Sequence, residues 1–251
     1  MLKAVLCGFS GVIINDEAVH QQLIDDALLA ENLRPDPEEY RQRCFGRSDK
    51  TCFEALMARR GRILKPEDYT RLLTRKAASY SDWLKAQDQP PIYPGFTDFI
   101  FRVRTRQYPL ALVTTAQQAE VTPVLKRAGL EEGFAVQVTG DLPLPSKPNP
   151  DLYTAAIAQL NQQDPSLQLR PEQCVAVEDT FVGITAAKAA GVPVIGVAHT
   201  YPNYMLQRQA TWVVDYLIEI DFDWICQRYG EQPKNRPTAQ TVLDDSPRQA
   251  S

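Results

Sequence analysis

Residues 174–197 read CVAVEDTFVGITAAKAAGVPVIGV, and this stretch decides the fold of the 251-residue chain. The apolar run Cys174–Val177 ends on Glu178-Asp179-Thr180. FVGITAAKAA follows with the composition of a helix, Gly191 closes it, and VPVIGV is a second apolar run. Strand, helix and strand joined by short links form a βαβ unit. Short runs of β-branched and small apolar residues, without polar alternation, belong to strands covered on both faces, as in a parallel sheet. Similar runs recur at Lys3–Leu6, Pro109–Val113, Ala135–Thr139 and Trp212–Val214. The chain is therefore expected to form an α/β, doubly wound parallel-sheet (Rossmann-like) core.

Residues 16–92 break this rhythm. They hold no strand-like run but four helical segments, HQQLIDDALLAENL, PEEYRQRCF, KTCFEALMARRG and PEDYTRLLTRKAASYSDWLKAQ, punctuated by proline and glycine. An all-helical insert after the first strand reads as an α-helical cap domain. The expected organisation is a core of 1–15 and 93–230, a cap of 16–92, and a disordered tail over 231–251, where Pro, Gln, Asp and Ser replace apolar residues.

The bulk composition excludes several classes. With 44% hydrophobic and 23% charged residues and a net charge of -4, the chain is an ordinary globular protein. That charge argues against a nucleic-acid partner or an acidic membrane surface bound by bulk electrostatics. Lys3 and the apolar run behind it resemble a secretion signal, but no small-x-small cleavage site follows and Asn15-Asp16-Glu17 comes at once. No run reaches the roughly 18 apolar residues of a membrane span. The five cysteines are odd in number and lack a C-x-x-C pair, so reduced thiols and a cytoplasmic location are expected, without a zinc site or disulfide framework.

Four pieces carry the chemistry. AVLCGFSGVIINDE (4–17) leaves the first strand, LALVTTA (110–116) leaves the second, SKPNPDLY (146–153) sits in a proline-stiffened loop, and VAVEDTFVGITAAKAAGV (175–192) contains the acidic pair. In order and spacing they resemble the haloacid dehalogenase-like superfamily, within it the capped branch of phosphoglycolate phosphatase and β-phosphoglucomutase. The resemblance covers about 1–200. It implies that Thr114 and the backbone at Phe9 hold a phosphoryl group, that Lys147 clamps it, and that Glu178 and Asp179 bind magnesium. GRSDK (46–50) resembles the cap loop facing the site, making Arg47 and Lys50 cap-loop candidates; His20, on the first cap helix, is a third.

The departure falls on the first motif. Where the family carries its aspartate nucleophile this chain has Gly8, and where it carries its acid/base aspartate it has Ser10. Glycine offers nothing to attack phosphorus, and serine without an evident base neither protonates a leaving oxygen nor activates water efficiently. Asp16 reads as an N-cap or first-turn acid of the first cap helix. Cys7 points to the opposite face of its strand from position 8.

Magnesium is left as a candidate cofactor at a weakened site. Glu178 and Asp179 either hold it with several waters, pair with Lys147, or cap the helix that follows. No catalytic residue is expected. The leading reading is a pseudophosphatase that binds a phosphorylated small molecule or a protein partner. Two others stand beside it: slow or altered hydrolysis by water at Glu178 and Asp179, and an interaction scaffold with a vestigial pocket.

Overall fold

A computed structural model describes residues 1–228; the expected tail from Glu231 lies outside the described residues. Six parallel strands form one sheet in the order β3-β2-β1-β4-β5-β6. They are β1 (Ala4–Cys7), β2 (Leu110–Val113), β3 (Val136–Val138), β4 (Cys174–Glu178), β5 (Val194–Val197) and β6 (Trp212–Val214). The helices are α1 (Glu17–Ala30), α2 (Pro37–Arg43), α3 (Asp49–Arg59), α4 (Pro66–Ala86), α5 (Phe96–Thr105), α6 (Gln118–Ala128), α7 (Asp151–Gln163), α8 (Phe181–Ala189), α9 (Asn203–Leu206) and α10 (Phe222–Arg228). Every apolar run singled out as a strand is one, to within a residue or two at each end.

β1 lies at the centre, with Val5 opposite Leu110 on one side and Val175 on the other. Ala4, Val5, Leu6 and Cys7 are all fully buried, so both faces of the strand are covered. One face packs with α7 and α8: Leu6, Ala111, Val113 and Ala176 share a cluster with Leu152, Tyr153, Ile157, Ile184 and Ala187. Strand order reverses between β1 and β4, and the crevice beyond the carboxyl ends of strands at such a point is where doubly wound sheets bind ligands.

Helices α1 to α4 fill the interval between β1 and α5 and pack around a cluster of their own, built from Ile24, Leu28, Tyr40, Phe53, Leu56, Met57 and Leu72. This is the helical cap. On α4 the buried positions are Leu72, Lys76, Tyr80 and Leu84, spaced by four along one stripe. Two of those four are polar, which no purely structural cap helix needs.

The cysteines correct the sequence reading. Cys44, just past α2, and Cys52, in the first turn of α3, form a disulfide with their Cα atoms 4.6 Å apart. Odd count and absent C-x-x-C spacing hid it, because the pairing crosses a helix–loop–helix corner rather than a short motif. Cys7 and Cys174 are buried and lie outside that disulfide. Asp221 immediately precedes helix α10, and its side chain accepts the amide N–H groups of Asp223 and Trp224.

Beyond β3 the chain passes so close to the β2 loop that a Cβ on Gly140 would overlap the Thr115 carbonyl oxygen. Backbone meets backbone there, so neither side yields cheaply. Gly140→Ala should destabilise the fold by about 1–3 kcal/mol, read as a lowered midpoint in chemical denaturation with an unchanged slope.

Candidate functional site

Loops after β1, β2, β3 and β4 converge on one cavity of about 60 Å³, lined by Phe9, Ser10, Thr114, Lys147, Glu178 and Asp179 from the core. From the cap come Glu17, His20, Tyr40, Cys44, Gly46, Arg47, Asp49 and Cys52. The structure thus brings together all the residues singled out for phosphate, metal and cap-loop roles except Lys50. That side chain is exposed on α3, its Nζ 5.7 Å from the centre of the Tyr69 ring on the neighbouring helix.

Glu178 ends β4 and is buried. Its Oε1 accepts from Lys147 Nζ at 2.6 Å and from the Tyr153 hydroxyl. Lys147 donates a second bond to the Val113 carbonyl at 2.9 Å and lies over the Tyr153 ring. The proline-rich loop therefore delivers Lys147 to a carboxylate rather than into open space. Tyr153 was not singled out from sequence, although it closes the quoted SKPNPDLY. Burial and the Glu178 charge push its hydroxyl well above the ordinary tyrosine range, so it is a fixed donor.

Asp179 accepts from the Thr200 hydroxyl. Burial, reinforced by the Glu178 charge, pushes the Asp179 carboxyl well above the usual carboxylate range. Neither acid caps α8; Thr180 does, accepting the Gly183 amide at 3.1 Å.

Above the β1 loop lies a polar cluster that the sequence reading missed. Asp16 stands at the N-cap of α1 yet makes no side-chain cap bond. It is buried instead, accepting from the Tyr80 hydroxyl at 2.6 Å and from His20 Nε2 at 3.2 Å. Lys76 lies 2.8 Å from His20 Nδ1, 2.9 Å from Glu120 and 2.7 Å from Asp49. His20 is thus no surface residue but the middle of a chain from α6 through α4 and α1 to Ser10, whose Oγ is 3.5 Å from Nε2. The helical spacing of Lys76 and Tyr80 on the apolar stripe of α4 was the signal for it.

This cluster supplies Ser10 with a neighbour of the right type for a base, contrary to expectation, but not in the right state. Burial alone would lower the Lys76 ammonium; Asp49 and Glu120 outweigh it and hold it above its ordinary value. A charged Lys76 donates to Nδ1, which must then accept. The ring's hydrogen is left on Nε2, facing Asp16. Were the ring protonated, Nε2 would carry hydrogen as well. In neither state does Nε2 offer a lone pair to Ser10.

The cavity also presents backbone donors. The amides of Phe9, Ser10 and Thr115 have no hydrogen-bond partner among the described residues. The Thr114 hydroxyl oxygen accepts the Ala116 amide at 3.0 Å, which leaves its own hydrogen to donate. Arg47 is half-buried and has no ion-pair partner among the described residues.

Comparison with known proteins agrees with this architecture. Residues 2–191 match the family model described as haloacid dehalogenase-like hydrolase, and the chain belongs to that family. A phosphorylated carbohydrates phosphatase from Thermotoga maritima is 28% identical over 202 residues, 79% of this chain and 87% of its own. The β-phosphoglucomutase of Bacillus subtilis is 24% identical over 204 residues, 80% of this chain and 85% of its own. Among solved structures, β-phosphoglucomutase from Clostridium difficile superposes with a TM-score of 0.79 at 20% identity, covering 92% of this chain and 98% of that one. CbbY from Rhodobacter sphaeroides in complex with phosphate gives 0.71 at 25% identity, covering 87% and 96%.

Members of this family use magnesium, so the donor set bears on the chemistry. Gly8 contributes no carboxylate, Glu178 Oε1 is taken by Lys147 and Tyr153, and Asp179 by Thr200. No group of three or more His, Cys, Asp or Glu side chains among the described residues is arranged to hold a metal ion. A hard divalent cation demands near-octahedral oxygen ligation. With no carboxylate at Gly8, the two acids leave too few protein oxygens to complete such a shell. No helix among the described residues is long and apolar enough to cross a membrane.

The buried Asp16 carboxylate gives the cap–core junction a pH signature. Burial would raise its pKa, but the His20 ring and the bonds from His20 and Tyr80 outweigh that and hold it below its ordinary value of 3.8. A depressed folded-state pKa means that the ionised form stabilises the fold at neutral pH. That contribution is lost as pH falls from about 4 downward through the folded value. Asp16→Asn should therefore destabilise by about 1–3 kcal/mol at pH 7, and denaturation curves at pH 7 and pH 3 should show the deficit shrinking in acid.

Proposed function

We propose that this chain binds a phosphorylated small molecule without the family's aspartyl-phosphate turnover, and does so without magnesium. One observation carries the reading: the position facing the phosphoryl site has no side chain, and the nearest hydroxyl, Ser10, faces a nitrogen that already bears hydrogen. Loss of a covalent nucleophile removes on the order of 10⁶ in rate where it has been measured. Asp16, the carboxylate that also faces Ser10, is buried and already bonded to Tyr80 and His20. Cys7 is no substitute, since burial pushes its thiol well above the ordinary value and its Sγ is turned to the Gly8 carbonyl at 3.2 Å.

Anion binding is supported by what remains. Unpartnered amides at Phe9, Ser10 and Thr115, the Thr114 hydroxyl and the Arg47 guanidinium surround the cavity. Charge-assisted bonds from such donors are about twice as strong as neutral ones. Lys147 contributes positive charge at the floor but is committed to Glu178. The cavity of about 60 Å³ has the volume of roughly two waters. It therefore takes a phosphoryl group with the cap seated, and a larger phosphorylated molecule only after the cap withdraws.

Isothermal calorimetry with inorganic phosphate in a chelator tests this directly. The natural sequence should bind, and Arg47→Gln should weaken binding about tenfold, near 1.4 kcal/mol. Assays with sugar phosphates and magnesium should show no turnover above about 1 s⁻¹. No metal-free binding by the natural sequence would return the site to the interaction-scaffold reading.

The same geometry predicts the behaviour of a restored motif. A Cβ on Gly8 would lie 3.1 Å from Val12 Cγ2 and 3.4 Å from the Glu178 carboxylate. Gly8→Asp with Ser10→Asp would crowd a second carboxylate against Glu178. At an effective dielectric near 20 two charges about 4 Å apart interact by roughly 4 kcal/mol before relaxation. The double variant should melt lower than the natural protein in chelator, recover with magnesium, and bind phosphate only with the metal present.

A further inference from the structure

We propose that the Cys44–Cys52 disulfide is a thiol-exchange site whose redox state sets whether the cap loop stays seated over the pocket. The two cysteines are eight positions apart and enclose Phe45, Gly46, Arg47, Ser48, Asp49, Lys50 and Thr51. Three of those residues hold the loop to the core, and a fourth ties it to α4. Gly46, at φ +70, lies so close to the β4 loop that a Cβ there would stand 2.9 Å from Thr180 Oγ1. The Ser48 amide donates to Ser146 Oγ at 2.9 Å, one residue before Lys147. Asp49 pairs with Lys76 at 2.7 Å. Phe45 packs edge-on against Tyr201 of the β5 loop, with ring centres 5.8 Å apart.

The bond ties the first residue beyond α2 to the first turn of α3, so it fixes the two helix ends between which this loop is strung. A glycine in the left-handed region sits in the middle, and without the cross-link only local packing restrains it. Both cysteines also line the cavity itself, beside Arg47 and Asp179, and are only 4% and 2% exposed. A disulfide placed there reports on cap position: it is shielded when the loop is seated and open to attack when the loop lifts.

The exchange needs a dithiol, small or protein-borne. Its thiolate attacks one sulfur of the pair and displaces the other, which takes up a proton. Its second thiol then resolves the mixed disulfide. Two electrons and two protons pass to Cys44 and Cys52, and the dithiol leaves as its own disulfide. Because the anion binds the seated loop, it favours the oxidised state at equilibrium, and reduction weakens anion binding by the same coupling. Only this last linkage rests on the phosphate-binding reading.

The full chain, oxidised and then treated with dithiothreitol, tests the proposal. Alkylation and peptide mass spectrometry should find Cys44 and Cys52 joined before treatment and free after it. Amide hydrogen exchange over 44–52 should quicken about tenfold or more on reduction, and affinity for inorganic phosphate should fall about fivefold or more. Cys44→Ser with Cys52→Ser should match the reduced protein and ignore dithiothreitol. Equal exchange rates over 44–52 in the two states would overturn the proposal, as would a double variant that still responds through the other thiols. If the loop responds to reduction while phosphate binds in neither state, the redox gate stands and the ligand reading falls.

Discussion

A buried carboxylate at the end of a central strand has to be neutralised, and in this protein Lys147 does it for Glu178. The site is organised around that pair. Breaking a buried ion pair by removing one partner typically costs about 3–5 kcal/mol, so the surroundings are built to keep both members in place. The loop after β3, stiffened by Pro143, Pro145, Pro148 and Pro150, carries the lysine to Glu178, and the Val113 carbonyl receives its second hydrogen. Tyr153, one turn into α7, donates to the same carboxylate oxygen and presents its ring face to the ammonium. The empty position at Gly8 belongs to the same arrangement, since a side chain there would abut Glu178.

The second buried cluster works at the junction of cap and core. Asp49 from the cap loop, Lys76 from α4, Glu120 from α6 and His20 with Asp16 at the start of α1 share hydrogens across four elements. Networks of this kind are strong when every member is satisfied and expensive when one is not. Asp16 Oδ1 is the exception, buried with no hydrogen-bond partner among the described residues. By holding His20 between an ammonium and a carboxylate, the cluster orients the ring while denying it the lone pair a general base requires. Cap position and the orientation of the ring beside Ser10 thus have a common origin.

The fold was legible in the sequence because its signals are local. A fully buried parallel strand must be a short apolar run, whatever its neighbours, and all six runs became strands. The helical character of 16–92 followed for a similar reason: helices form from residues close in the chain. Thr114, Lys147, Glu178 and Asp179 were singled out by the resemblance of their motifs, and they line one cavity because loops at one end of a parallel sheet converge. Lys50 was misplaced toward the site because a loop motif does not specify the helical face on which its last residue falls; here α3 begins at Asp49 and turns Lys50 away.

By itself, then, the sequence determined the α/β sheet, the helical insert, the converging loops and the absence of the aspartate pair at Gly8 and Ser10, all properties of chain-local pattern or of residue identity. Tertiary structure alone decided the states of the groups that gather there. Asp16 became a buried acceptor instead of a helix cap, His20 a ring hydrogen-bonded at both nitrogens, and Cys44 and Cys52 a bonded pair. Each of these outcomes depends on a partner tens of residues away or on the angle between two helices. Protonation and covalent pairing answer to distances of a few ångströms, which side-chain packing fixes and chain-local pattern does not.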